Sequence, residues 1–322
     1  DSYDALAIYL HRKSYYIALL NVVSPSLIAP IRGDALQCSS ILRSVANNRN
    51  VPVFSWSHSV YCYQEYYLSG VDFDYYAASN PFELSLYKKY WNEECLYSFI
   101  GQVSYPNIGN ISLNTPVLDR LDGINGIFST TIDSRVLSNT FDNYSDFVDA
   151  VVLSSNSIDG GFFYKSKNNF KIERGEVIGH EAQKAEEYAL SKFRLMDDKF
   201  EVIKEGITVK EIVPFINIAF VYSLSTVAFE LIQEKVKVII FWPFDSVEFP
   251  LSKTLPLLVA KDANEMINNA SLLDKMSAHD YAEYLAPYFD SLSFSMGGER
   301  NTLLQAIDDT LEDINKKACL VG

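Results

Sequence analysis

The sequence predicts an α/β protein: two Rossmann-like domains whose parallel sheets face a cleft. Three observations lead there. Short apolar runs alternate with longer amphipathic segments along the 322 residues, the pattern of parallel strands covered by helices. The alternation breaks at "SYPNIGNISLNTP" (104–116), where Pro106, Pro116 and Gly109 leave no helical period, as in a linker. It then restarts in the same style, so one kind of layered unit is used twice. The expected boundaries are 1–110 and 117–298 for the two domains, with a C-terminal helix over 299–322.

The first domain opens with a helical run, "ALAIYLHRKSYYIALLNVV", followed by a buried strand over 25–31. Ala35, Ile41, Leu42 and Val45 recur at helical spacing in the next segment. Strands follow at 51–56 and 73–79. Asn80 and Pro81 then supply an N-cap and a first-turn proline for the helix "NPFELSLYKKYW". A strand over 95–103 closes the domain. The chain begins on Asp1, without a methionine, in a helical pattern, and reads as lacking an upstream piece.

In the second domain, strands are expected at 126–132, 160–167, 200–203, 218–223 and 236–242. Between them lie helical patterns: "VLSNTFDNYSDFVDAVVLSS", "GHEAQKAEEYALSKFRLM", "TVKEIVPFI" and "STVAFELIQEK". "SKTLPLLVAKDANEMINNASLLDKM" and "RNTLLQAIDDTLEDINKK" read as mostly helical to the end.

Composition narrows the class of function. Net charge is −14, with 48% hydrophobic and 21% charged residues. That is a packed globular chain, and too acidic for a general nucleic-acid grip or a polybasic membrane anchor. No apolar run reaches the ~18–20 residues of a membrane span. The four cysteines (Cys38, Cys62, Cys95, Cys319) form no C-x-x-C pair, which argues against structural zinc and a disulfide framework and for a reducing, cytoplasmic compartment. The Tyr-rich stretch "VYCYQEYYLSG" reads first as packing and second as a stacking surface.

Ligands of open parallel sheets sit beyond the carboxyl ends of the strands. At one such end, "VYSLSTVAFELI" (221–232) places Ser223, Ser225 and Thr226 where a strand gives way to a helix. Free N–H groups and the positive end of the helix dipole would hold a phosphate there, and Glu230, one turn on, would meet a ribose. The plainer reading is an N-cap. His58 leaves another strand end and suits proton transfer near neutral pH. Asp34 lies by the same rim, as an orienting group or base, or as a helix cap. Lys165 and Lys167 share one face at period two and would oppose a diphosphate; a pair of surface lysines needs no function. His180 and Glu181 open a helix. The Asp72-Phe73-Asp74 pair begins a strand and reads as a solvated turn. No H-E-x-x-H, EF-hand, Gly-rich phosphate loop or G-x-S-x-G pattern is present in the sequence.

The order of these parts, "SWSH", "FDYYAASNPFELSLYKKYW", a linker, "IFSTTI", "FFYKSK" and above all "YSLSTVAFE", resembles bacterial surface-polysaccharide glycosyltransferases of the GT-B fold. These include CDP-glycerol glycerophosphotransferases and the Kdo and sialic acid transferases. The resemblance spans roughly residues 20–245 and makes the first domain the acceptor side. It implies a nucleotide-activated donor as substrate, with no further cofactor and no metal, and a glycan or lipid-linked glycan acceptor. Capsule or lipopolysaccharide assembly follows, in the cytoplasm or peripherally at the inner membrane. Ser223, Ser225 and Thr226 then bind donor phosphate, Glu230 meets the nucleotide ribose, and His58 is a base or positioning group. Ser59 replaces the glycine that follows that histidine in the family, and "KSKNN" replaces a His-Pro element. A nucleotide-sugar epimerase and a non-catalytic sugar- or nucleotide-binding relative are the alternatives.

Overall fold

The structure is a computed structural model. It describes residues 2–30, 39–56, 73–87, 95–99, 123–129, 140–173, 175–176, 178–203, 206–223, 225–243, 251–292 and 300–321. The chain divides into two compact units, Asp1–Asn107 with Phe294–Gly322, and Ile108–Ser293.

The first unit contains helices α1 (Ser2–Val22), α2 (Ser39–Asn47) and α3 (Pro81–Tyr87), with strands β1 (Phe54–Trp56), β2 (Tyr75–Ala78) and β3 (Leu96–Phe99). The strands form a parallel sheet in the order β1-β2-β3. The strand expected over 25–31 is reduced to one parallel bridge, Ile28 to Val53. Pro25 and Pro30 leave too few consecutive N–H donors for a longer ladder. The expected cap of α3 is present: the Asn80 side chain accepts the Glu83 N–H at 2.8 Å. Asp74, expected in a solvated turn, is instead a half-buried clamp. It accepts Nε and Nη2 of Arg43 at 3.1 and 2.9 Å, and the Val53 N–H at 2.8 Å.

The second unit is built on β4 (Ile124–Ser129), β5 (Phe162–Ser166), β6 (Phe200–Val202), β7 (Ile216–Tyr222), β8 (Lys237–Phe241) and β9 (Val259–Ala260). All pairings are parallel, in the order β6-β5-β4-β7-β8-β9. This is the doubly wound order 3-2-1-4-5-6, which reverses direction between its first and fourth strands, here β4 and β7. Helices α4 (Phe141–Ser154), α5 (Lys167–Glu173), α6 (His180–Phe193), α7 (Thr226–Gln233), α8 (Ala263–Lys275) and α9 (Ala278–Leu285) belong to this unit. α10 (Arg300–Val321) returns to the first.

The central strands are apolar on both faces because helices cover both. From Ile218 to Tyr222 every residue of β7 is fully buried, as a doubly covered parallel strand requires. α4 starts at Thr140, whose side chain accepts the Asn143 N–H, and buries Tyr144, Phe147, Val148 and Val151 against the sheet. The Phe147 ring lies 5.4 Å from Tyr222 and 5.8 Å from Phe241, centroid to centroid; truncating such a ring costs roughly 3–5 kcal/mol. Gly126 in β4 is required by its neighbours, since a Cβ there would meet Phe128 at 2.7 Å and Phe163 at 2.8 Å. β9 falls in a segment expected to be helical; two residues are too few to register as a periodic strand. Among the described residues, no helix is long and apolar enough to cross a membrane.

Candidate functional site

The order reversal places the carboxyl ends of β4 and β7 side by side, and open parallel sheets take their ligands beyond such a reversal. Phe128 pairs with Val221, so Ser129 and Tyr222 end the two strands at the same level.

β7 ends at Tyr222, and Ser223 takes up a left-handed conformation with φ +61°. A non-glycine residue in this region carries strain of about 1 kcal/mol or more and marks a place to look for function. Here the strain turns the chain from strand to helix within a few residues. Ser225 occupies the N-cap position of α7 with extended backbone angles, yet its hydroxyl makes no capping bond. Among the described residues, nothing hydrogen-bonds the hydroxyl of Ser223, Ser225 or Thr226. All three are half-buried. Three uncommitted hydroxyls thus fall at or just before the first turn of a helix, whose N–H groups and dipole favour an anion.

Glu230 lies in α7, also half-buried. Its charge acts on Lys167, so two of the predicted residues from different strand ends are electrostatic neighbours. Desolvation lowers the Lys167 pKa, repulsion by Lys171 lowers it further, and Glu230 pulls it upward.

The two lysines do not share a strand face. β5 stops at Ser166, and Lys167 is the first residue of α5, so the alternation expected from the sequence ends one residue before it. Lys165 is half-buried, and its ammonium donates to the carbonyl of Ile207 at 2.7 Å, tying β5 to the segment after β6. His180, with Glu181 beside it, opens α6 and is exposed. His58 and Asp34 lie outside the described residues.

One polar group went unnoticed in the sequence. Glu186 sits on the packed face of α6 with Ala182, Ala185, Ala189 and Phe193. Its signal was a carboxylate falling on the apolar stripe of an amphipathic helix. Ser129, Tyr164 and Ser166 join it in a hydrogen-bonded group near the ends of β4 and β5.

No family model matches the chain, and no curated protein matches it significantly in sequence. Solved structures do match along nearly the whole chain. An α,α-trehalose 6-phosphate synthase from Burkholderia multivorans is 10% identical with a TM-score of 0.59, over 98% of this chain and 78% of its own. A protein assigned as a UDP-N-acetylglucosamine 2-epimerase from Listeria monocytogenes is 13% identical with a TM-score of 0.57, over 95% and 80%. A glycosyltransferase from Rickettsia africae is 11% identical with a TM-score of 0.52, over 96% and 82%. At this identity the likeness is one of fold. The chain has the two parallel-sheet α/β units of a GT-B-like fold.

Proposed function

We propose that this protein is a nucleotide-sugar enzyme. In this reading it moves a sugar, or a polyol phosphate, from a nucleotide-activated donor to a glycan acceptor in envelope polysaccharide assembly. The observation that carries the reading is the group of uncommitted hydroxyls of Ser223, Ser225 and Thr226 around the start of α7, beside the order reversal of the sheet. The donor diphosphate lies there, against the helix N–H groups. Lys167 and Lys165 supply positive charge in a chain of net charge −14, and an anion would relieve the repulsion between Lys167 and Lys171. Glu230 accepts hydrogen bonds from the nucleotide ribose. In the transition state these groups stabilise charge gathering on the departing nucleotide phosphate, while His58 or Asp34 takes the proton of the acceptor hydroxyl.

Thermal unfolding in the presence of UDP, CDP, GDP and CMP tests the first half of this reading. A nucleotide bound by the folded chain raises the midpoint by mass action, and no shift with any of the four would overturn it. With a binding nucleotide in hand, His58→Ala should keep the shift and lose turnover. Likeness in fold to a protein assigned as an epimerase favours a second reading, in which the sugar of the donor is altered without an acceptor. Incubation with UDP-N-acetylglucosamine alone, followed by NMR of the sugar, separates the two.

A further inference from the structure

Behind the turn that leads from β5 to α5 lies a carboxylate that no step above uses. Glu186 is 1% exposed. Its Oε2 accepts the Ser166 hydroxyl at 2.6 Å and the Tyr164 hydroxyl at 3.0 Å. Tyr164 is itself 2.8 Å from the Tyr144 hydroxyl and 3.1 Å from that of Ser129. Ser166 Oγ also accepts the backbone N–H of Asn169 at 3.3 Å, which caps the first turn of α5. Among the described residues, Glu186 Oε1 has no hydrogen-bond partner.

With Glu186 ionised, every hydroxyl donates in one direction: Tyr144 and Ser129 toward Tyr164, then Tyr164 and Ser166 toward the carboxylate. Donation to an anion polarises the Ser166 oxygen and strengthens it as the acceptor for Asn169. A proton on Oε2 reverses one of these bonds. At Ser166 the reversal sets a second donor on the oxygen that caps α5.

We propose that Glu186 is a positioning residue that fixes the first turn of α5, and with it Lys167, through Ser166, and that it does so more firmly ionised than protonated. The titratable groups facing it are Tyr164 on β5, Tyr144 on α4 and Glu173 on α5, none of them a cation. Burial pushes the Glu186 carboxyl up to about 7 against the pull of the Ser166 and Tyr164 hydrogen bonds, so both forms exist near neutrality. The importance of Lys167 rests on the phosphate-site reading; the lock itself is open to test without a ligand.

Hydrogen exchange of the ligand-free chain, followed by mass spectrometry from about pH 5.5 to about pH 8.5 and corrected for intrinsic rates, reads the lock across the titration. Protection of the first α5 amides should rise about fivefold with pH in the wild type, the factor that corresponds to the roughly 1 kcal/mol by which a charge-assisted hydrogen bond exceeds a neutral one. Glu186→Gln should abolish the rise. Ser166→Ala, which severs the same connection without touching the helix carrying Glu186, should leave protection low and flat. A pH-independent wild type, or a rise that persists in either variant, would overturn the proposal. UDP titrations on the same samples separate the two ideas: a lock that behaves as described in a chain that ignores UDP removes the nucleotide reading alone.

Discussion

The backbone N–H of Ser223 reaches the carbonyl of Phe241 at 3.1 Å, so a residue in the left-handed region makes the last rung between β7 and β8. The ladder holds the strained turn in place, and the turn delivers the chain to α7. Glycine adopts that conformation without a Cβ penalty, whereas alanine keeps it. Ser223→Gly should therefore be about 1 kcal/mol more stable than Ser223→Ala in urea unfolding, where equal midpoints would contradict the strain.

Ser225 and Ser277 offer an internal control. Ser277 caps α9 by accepting the Asp280 N–H at 3.1 Å, while Ser225 stands at the cap position of α7 without such a bond. Ser277→Ala should cost about 1 kcal/mol and Ser225→Ala less than about 0.5 kcal/mol. If the proposed site is right, only the second should diminish the midpoint shift given by UDP.

Lys165 and Lys167 should separate in the opposite sense. Removing the ammonium that holds Ile207, as in Lys165→Met, should destabilise the chain by roughly 1–2 kcal/mol. Lys167→Met, at an exposed position, should change stability by less than about 0.5 kcal/mol and weaken UDP binding. The loss should shrink as salt is added.

The buried Glu186 should also shape stability as a function of pH. Its carboxyl lies at about 7 when folded against an ordinary value of 4.5, so the native chain binds the extra proton between these limits. Its contribution is fully present below the lower value and is lost as pH rises through the upper one. Glu186→Gln should remove this fall, and by about pH 8 the wild type should have lost roughly 3 kcal/mol relative to the variant. Parallel urea-unfolding profiles across the range would contradict it.

The sheet of the second unit was legible because its central strands are continuous apolar runs, such as "KVIIF", which burial on both faces demands. Shorter edges were not. Val259–Ala260 has no period to detect, and the prolines flanking Ile28 reduce a seven-residue apolar run to one bridge. At the candidate site, the junction that carries the serines and Thr226 was legible because strand and helix signals meet within four residues. The lysine pair misled because period two holds only while the strand lasts, and β5 ends at Ser166. Glu186 stayed hidden because its partners come from β5, and sequence spacing on one helix says nothing about them.

α10 belongs to the first unit, where Ala306, Ile307 and Ile314 pack with Phe54, Tyr75 and Trp56, and Asp313 accepts the Tyr75 hydroxyl at 2.8 Å. During translation the whole second unit emerges from the ribosome before this helix does. The unit begun first is thus completed last, and until then the aromatic side chains of β1 and β2 wait for their cover, open to chaperones.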